Sequence, residues 1–328
     1  MKRIFILLLS ALMLFSACEG DIDNTAHVVI KEGELNVIAT IFPAYDFARA
    51  VTGESLRDLG VEESPVPVNL QMLIPPGAEI HDFEPTPKDI IAIKNCDIFI
   101  YNGGESDIWV EKILENISPE TKVIAMTDCV DTLEEEIKEG MQEEGEEEEE
   151  GAIDEHVWTS PVNAMGIVRA IAEAFVSKTD NNDDAAFFGN NGELYCHQLN
   201  HLDSEFEEIV TNAERNTLVF ADRFPFRYFT QQYNLDYFAA FPGCAGETEP
   251  DIKTVTFLID KVKSEDIPAV FTIELSNKKL AENISKETGA KILQLHSCHN
   301  ISKDDFQSGK TYVDIMLNNA DVLKEALY

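Results

Sequence analysis

Strand-like and helix-like runs alternate twice along this chain, with one long helical stretch between the two series, and this pattern restricts the fold most. Short apolar runs at 35–41, 70–74, 98–101 and 122–126 are separated by helical segments, the first opened by Pro43. A second series follows at 217–221, 236–241, 269–273 and 291–295. Strands that alternate with helices build parallel sheets covered on both faces. The expected fold is therefore α/β, with two lobes that each hold a parallel-type sheet flanked by helices. At 328 residues the chain has room for two such lobes, each with its own core.

Between the series, Ser160-Pro161 starts a helix with a hydroxyl N-cap and a first-turn proline. A longer helix is expected over 184–213, with Leu199, Leu202, Phe206 and Ile209 at helical spacing and Gly189 and Gly192 weakening its start. This helix would join an N-terminal lobe at 34–183 to a C-terminal lobe at 214–328. A cleft then lies between the lobes, and parallel sheets bind ligands outside the carboxyl ends of their strands.

The N-terminus reads as an export signal. Lys2 and Arg3 precede an apolar run, 4–15, that is too short to anchor in a bilayer, and Ser16-Ala17-Cys18 follows. Residues 1–18 fit a lipoprotein signal with the lipid on Cys18, and 19–33 a polar tether. The protein is then extracytoplasmic, held at the outer face of the cell membrane. Five further cysteines remain, an odd number, so at least one thiol stays unpaired. Cys244 with Cys298 is the favoured disulfide, and Cys96 with Cys129 is a second pair the count allows.

The formal net charge is −36, which disfavours nucleic acid and anionic lipid as partners and favours small cations. Much of the charge lies at 131–152, where glutamates run almost without apolar residues. That density of like charge predicts a mobile loop inserted in the first lobe.

Of seven histidines, His81 lies in a Pro/Gly-rich stretch after a strand, and His156 precedes a helix in Asp154-Glu155-His156-Val157-Trp158. His296 and His299 follow the last strand. All three segments fall where a cleft site is built. Asp154 or Glu155 is suited to take the second ring N–H of His156 and orient it. Three imidazoles with one oxygen ligand form a good Zn²⁺ sphere. His197 and His201 are one helical turn apart but lack the His-Glu-x-x-His pattern, so they read as an exposed helix face. No catalytic motif surrounds any of these residues, which argues against a zinc hydrolase.

The segments 75–87, 101–109 and 154–161, with the Gly-x-x-x-His-x-Phe-Glu-Pro and Asp-x-His-Val-Trp-x-x-Pro motifs, resemble the substrate-binding proteins of zinc and manganese ABC importers. The resemblance covers nearly all of the chain after the signal. It implies a non-enzymatic, monomeric metal-binding lipoprotein with a metal between the lobes and an ABC permease and ATPase as partners. It places His81 and His156 as first-lobe ligands and His299 at a position usually held by Asp. A further ligand position falls on Arg223, and a guanidinium cannot ligate a metal. Glu247 is the candidate for the missing ligand, with Arg223 left to hold a carboxylate such as Glu247 or Asp222. A His in place of Asp favours Zn²⁺ over Mn²⁺. A Mn²⁺-specific protein of this family, and a surface adhesin or metal-storage lipoprotein, are the alternative readings.

Overall fold

The computed structural model describes residues 28–78, 80, 83–142, 152–243 and 250–328. Cys18, His81, Cys244 and Glu247 lie outside these residues.

The first lobe is a parallel sheet of β1 (Leu35–Ala39), β2 (Val68–Met72), β3 (Ile98–Tyr101) and β4 (Lys122–Ala125), in spatial order β2-β1-β3-β4. The second repeats it with β5 (Thr217–Arg223), β6 (Asp236–Phe241), β7 (Ala269–Thr272) and β8 (Lys291–Gln294), in order β6-β5-β7-β8. The inner strands are apolar without alternation: Val37, Ile38 and Ala39 of β1 and Ile98, Phe99 and Ile100 of β3 are fully buried. Such runs require cover on both faces. In the first lobe it comes from helices α1 (Phe42–Val51), α2 (Pro87–Asn95), α3 (Ile108–Leu114) and α4 (Pro161–Ser177). In the second it comes from α6 (Arg227–Gln232), α7 (Ile252–Ser264), α8 (Lys279–Thr288) and α10 (Tyr312–Leu327), while the short α9 (Lys303–Gln307) sets Phe306 against Tyr45 of α1.

Between α4 and α6 runs α5, Asn182–Thr211, a 30-residue helix of about 45 Å at 1.5 Å per residue. Phe188, Tyr195, Leu199, Leu202, Phe206 and Ile209 form its buried stripe. Because this stripe faces both lobes, the largest apolar cluster is shared. It runs from Val37 and Ile98 in the first sheet through α5 to Phe220 and Leu323 in the second lobe. Smaller clusters lie on the outer face of each sheet. The lobes therefore share one main core, where the sequence suggested one each. Asp46 ties the same junction: its Oδ2 accepts from the Tyr195 hydroxyl at 2.9 Å and the Tyr312 amide at 2.8 Å, and its Oδ1 pairs with Arg49.

The described part of the acidic insertion, 131–142, crosses to the second lobe. Tyr237 donates to Glu136 at 3.0 Å, Lys138 pairs with Asp236 and sits over the Tyr237 ring, and the Gln142 amide donates to Ala240 O at 2.9 Å. A Cβ on Gly140 would lie 2.0 Å from the Phe257 ring. Charge density alone could not reveal this docking, because it depends on Lys138, Gln142 and a glycine within the run. No helix among the described residues is long and apolar enough to cross a membrane.

Candidate metal centre

His156 follows Asp154, whose backbone is fixed to the start of the insertion: Asp154 N donates to Leu133 O at 2.9 Å. The Asp154 carboxylate bends forward, and Oδ1 accepts from the His156 amide at 2.8 Å and lies 3.1 Å from ring Nδ1. The ring proton therefore sits on Nδ1 and a lone pair on Nε2. The imidazole is fully buried, and Nε2 has no hydrogen-bond partner among the described residues. Leaving a buried polar atom unmatched costs about 1–3 kcal/mol, which marks Nε2 as waiting for a ligand. Burial pushes the His156 pKa down, but the carboxylates of Asp154, Glu155 and Glu135 outweigh it and hold it above the ordinary value.

The next residues form a single helical turn, Val157–Thr159, before Ser160 caps α4 by accepting from Asn163 N at 3.1 Å. Within that turn Trp158 is wholly buried, and its Nε1 donates across the cleft to Ser297 O at 2.8 Å. Ser297 belongs to the turn that presents His299. Glu274, just past β7, organises that turn by accepting from Ser297 N at 2.7 Å, Ser297 Oγ at 2.6 Å and His299 N at 3.1 Å. Cys298, between them, takes a left-handed φ of 63°.

His156 and His299 meet edge to face, with ring centroids 5.0 Å apart, and Trp158 lies 4.9 Å from the His299 ring. The Glu155 carboxylate joins them. One ligand atom from each of Glu155, His156 and His299 lies within 4.8 Å of the other two, and all three residues are buried. Glu155 accepts from the Ser106 amide at 3.1 Å and from its hydroxyl. Burial raises its pKa against the opposing pull of His156 and Ser106. A Cβ on Gly104 would come 2.7 Å from Glu155 Oε2, so the glycine at this position gives the carboxylate its room. From the second lobe Gly243 presses on His156, where a Cβ would lie 3.0 Å from Cε1. Two imidazoles and a carboxylate around one point can coordinate a divalent ion.

The structure sorts the sequence candidates. His156 and His299 come together. His296 does not join them: its Nδ1 accepts from Cys298 N at 3.0 Å, a bond internal to the turn. His197 and His201 are exposed on α5, as the missing motif suggested. His81 lies outside the described residues, but the loop leading to it is tied to the second lobe, since Asn300 Nδ2 donates to Ala78 O at 2.6 Å. Arg223, at the end of β5, lines a cleft of about 470 Å³ together with His156 and His299. Its amide donates to Asp222 Oδ1 at 2.9 Å. Glu155 was read only as an orienting group for His156; with Asp154 filling that role, Glu155 is left to face the imidazoles. The signal was present in the two adjacent carboxylates, only one of which can reach back to Nδ1.

Cys96 and Cys129 do not pair. Each is a free thiol that donates to a carbonyl of its own segment, Ile93 O at 3.2 Å and Ala125 O at 3.3 Å. Cys298 is also free and fully buried, and Cys244, the partner expected for it, is outside the described residues.

Residues 37–326 match the family described as ZnuA, zinc-uptake complex component A, periplasmic. The chain belongs to the ZnuA family. Members of this family are non-catalytic binding components of metal uptake. The zinc-binding lipoprotein AdcA of Streptococcus pneumoniae is 29% identical over 99% of this chain, which spans 61% of AdcA. The high-affinity zinc uptake system protein ZnuA of Bacillus subtilis is 28% identical over 96% of this chain and 94% of its own length. Among solved structures, the Zn(II)-bound ZnuA-like domain of S. pneumoniae AdcA superposes with a TM-score of 0.71 at 27% identity, covering 90% of this chain and 99% of that domain.

Proposed function

We propose that this protein captures Zn²⁺ outside the cell and delivers it to an ABC permease and its ATPase. His81, His156 and His299 serve as nitrogen ligands, with a carboxylate from Glu155 or Glu247 completing the sphere. A lipid on Cys18, at the end of a signal over 1–18, and a tether over 19–33 keep the protein at the membrane face. It works as a monomer of two lobes, 34–183 and 214–328, joined by the bridging helix.

The observation that carries this reading is the fully buried Nε2 of His156, unpartnered among the described residues, beside His299 and Glu155. Neutral imidazoles favour Zn²⁺, whereas Mn²⁺ prefers octahedral oxygen. Trp158 and the two lobes keep water from the ion, and binding holds the lobes together through ligands from each. Release follows when the permease alters the relation of the lobes and withdraws the His299 turn.

The test is competitive titration of the metal-free protein with Zn²⁺ and Mn²⁺ against a chelating dye. One Zn²⁺ should bind per chain, more tightly than Mn²⁺, and His156→Ala should weaken Zn²⁺ by about 100-fold or more, beyond the effect of losing an outer-shell partner. Equal affinity in His156→Ala would overturn the site, and tighter Mn²⁺ binding would overturn the choice of metal.

A further inference from the structure

His156 belongs to the first lobe by sequence, yet the second lobe holds the chain on both sides of it. The segment from Asp154 to Ser160 runs from the base of the insertion to the cap of α4 and carries Glu155, His156 and Trp158. Two residues before His156, the Asp154 carbonyl accepts from the hydroxyl of Tyr228, on α6, at 2.7 Å. Two residues after it, the Trp158 carbonyl accepts from the hydroxyl of Tyr312, on α10, at 2.7 Å. Both tyrosines are buried, Tyr312 completely. Phenylalanine would fill the same apolar space, so the hydrogen bonding of the hydroxyl is what tyrosine adds at these two places.

Each of the two bonds is braced from behind. The Tyr228 oxygen also accepts from the Leu133 amide at 3.0 Å, and Leu133 O accepts from the Asp154 amide at 2.9 Å, so one hydroxyl secures both strands at the base of the insertion. The Tyr312 amide donates to Asp46 Oδ2 at 2.8 Å, which fixes the start of α10 to α1. One helical turn along α6 from Tyr228, Gln232 accepts from the Ser160 hydroxyl at the far end of the segment.

We propose that Tyr228 and Tyr312 are positioning residues for the metal site. They are not ligands and act through the backbone. With the carbonyls on either side of His156 held, the Asp154 carboxylate stays against ring Nδ1, and Nε2 keeps its aim toward His299 and Glu155. Because both hydroxyls come from the second lobe, a change in the relation of the lobes reaches His156 as well as the His299 turn. The inference rests on the proposed capture of zinc and deepens it, by naming what holds the first-lobe ligand in place and what frees it.

Tyr228→Phe, Tyr312→Phe and the double variant of the full chain test it. Chelator chase gives the rate of zinc loss, and the visible absorption of the Co²⁺-loaded protein reports the ligand geometry around the ion. Each single change should speed zinc loss by about two- to tenfold, the worth of one neutral hydrogen bond, and the double should exceed either. The Co²⁺ spectrum should differ from that of the parent in each, a change that a purely structural role would not produce. Where one single variant does not fold by circular dichroism, the other decides. Parental zinc loss and a parental Co²⁺ spectrum in the folded variants, even with a lower melting temperature, would overturn the inference and leave zinc capture standing. Faster loss with the parental spectrum would also overturn it, because the hydroxyls would then secure the closure of the lobes and not the aim of His156. A parent chain that takes up neither Zn²⁺ nor Co²⁺ would instead overturn the proposed function.

Discussion

Asp154 Oδ1 reaches both the backbone amide of His156, at 2.8 Å, and its ring Nδ1, at 3.1 Å. One oxygen therefore sets the backbone turn and the tautomer together, and the lone pair of Nε2 points where an ion would sit. Partners of this kind typically contribute 10–100-fold to metal affinity. Asp154→Ala should weaken Zn²⁺ binding by about that factor while the protein stays folded. Chelator competition alongside circular dichroism checks this, and unchanged affinity would show that the ring is held by other means.

The same contact sets the pH response. Burial depresses the His156 imidazolium, but the neighbouring carboxylates prevail and its pKa stands above the ordinary value near 6.5. Metal must displace the proton from Nε2, so affinity is complete above this raised pKa and declines as pH falls through it. Glu155, whose pKa burial also raises, adds to the decline in the same direction. The loss should therefore begin above about pH 6.5. In Asp154→Ala, burial acts with less opposition, the imidazole stays neutral to lower pH, and the onset should move down. Zinc affinity measured from about pH 5 to pH 8 in both proteins distinguishes the cases; coincident profiles would remove Asp154 from the account.

Much of this architecture was legible because its causes are local. The apolar runs of β1 and β3 need cover on both faces, Ser160-Pro161 starts a helix, and the α5 stripe repeats at helical spacing, so the α/β lobes and bridging helix follow from the sequence. The two motifs likewise announced His156 and the 75–87 loop. What was not legible depends on contacts between distant segments. The merging of two cores along α5 and α10 follows from which faces meet. The choice of His299 over His296 depends on Glu274, 22 residues earlier than His296, which leaves His296 Nδ1 to bond inside the turn. The docking of 131–142 relies on a few anchors hidden in a charge run.

Glu274 touches no part of the proposed ion, yet its two oxygens accept from three donors that shape the His299 turn. Backbone in that neighbourhood is unusual: Leu275, Lys278 and Cys298 all take positive φ, a conformation that persists only where surrounding contacts enforce it. Glu274→Ala would strip the Ser297 amide of its acceptor, at about 1–3 kcal/mol for a buried group, leave the His299 amide only Ser297 Oγ at 3.2 Å, and free His299 to drift. Zinc affinity should fall by about 10–100-fold, with the zinc dissociation rate rising because the second lobe's ligand is the one loosened. Stopped-flow chelator chase measures that rate. A fall in melting temperature with an unaltered dissociation rate would assign Glu274 to stability alone.

Two glycines in α5 should respond in opposite directions to the same substitution. Glycine in a helix interior costs about 1 kcal/mol relative to alanine, so each invites replacement on propensity alone. At Gly189 the nearest atom to an added Cβ is Val176 Cγ2 at 4.0 Å, ordinary contact distance. Gly189→Ala should stabilise the protein by about 0.5–1 kcal/mol. At Gly192 the added Cβ would come 2.7 Å from Ala172 Cβ, in the packing between α4 and α5. Neither atom is the end of a flexible chain, so the helices must separate, and overpacking of this kind costs about 1–3 kcal/mol. That exceeds the propensity gain, so Gly192→Ala should lower stability. Ala172→Gly placed in the Gly192→Ala background should recover part of the loss by returning the missing space. Denaturant melts of the three variants decide it: a stabilised Gly192→Ala would mean that the α4–α5 contact is loose enough to absorb a methyl group, and glycine would then be no requirement of the bridging helix.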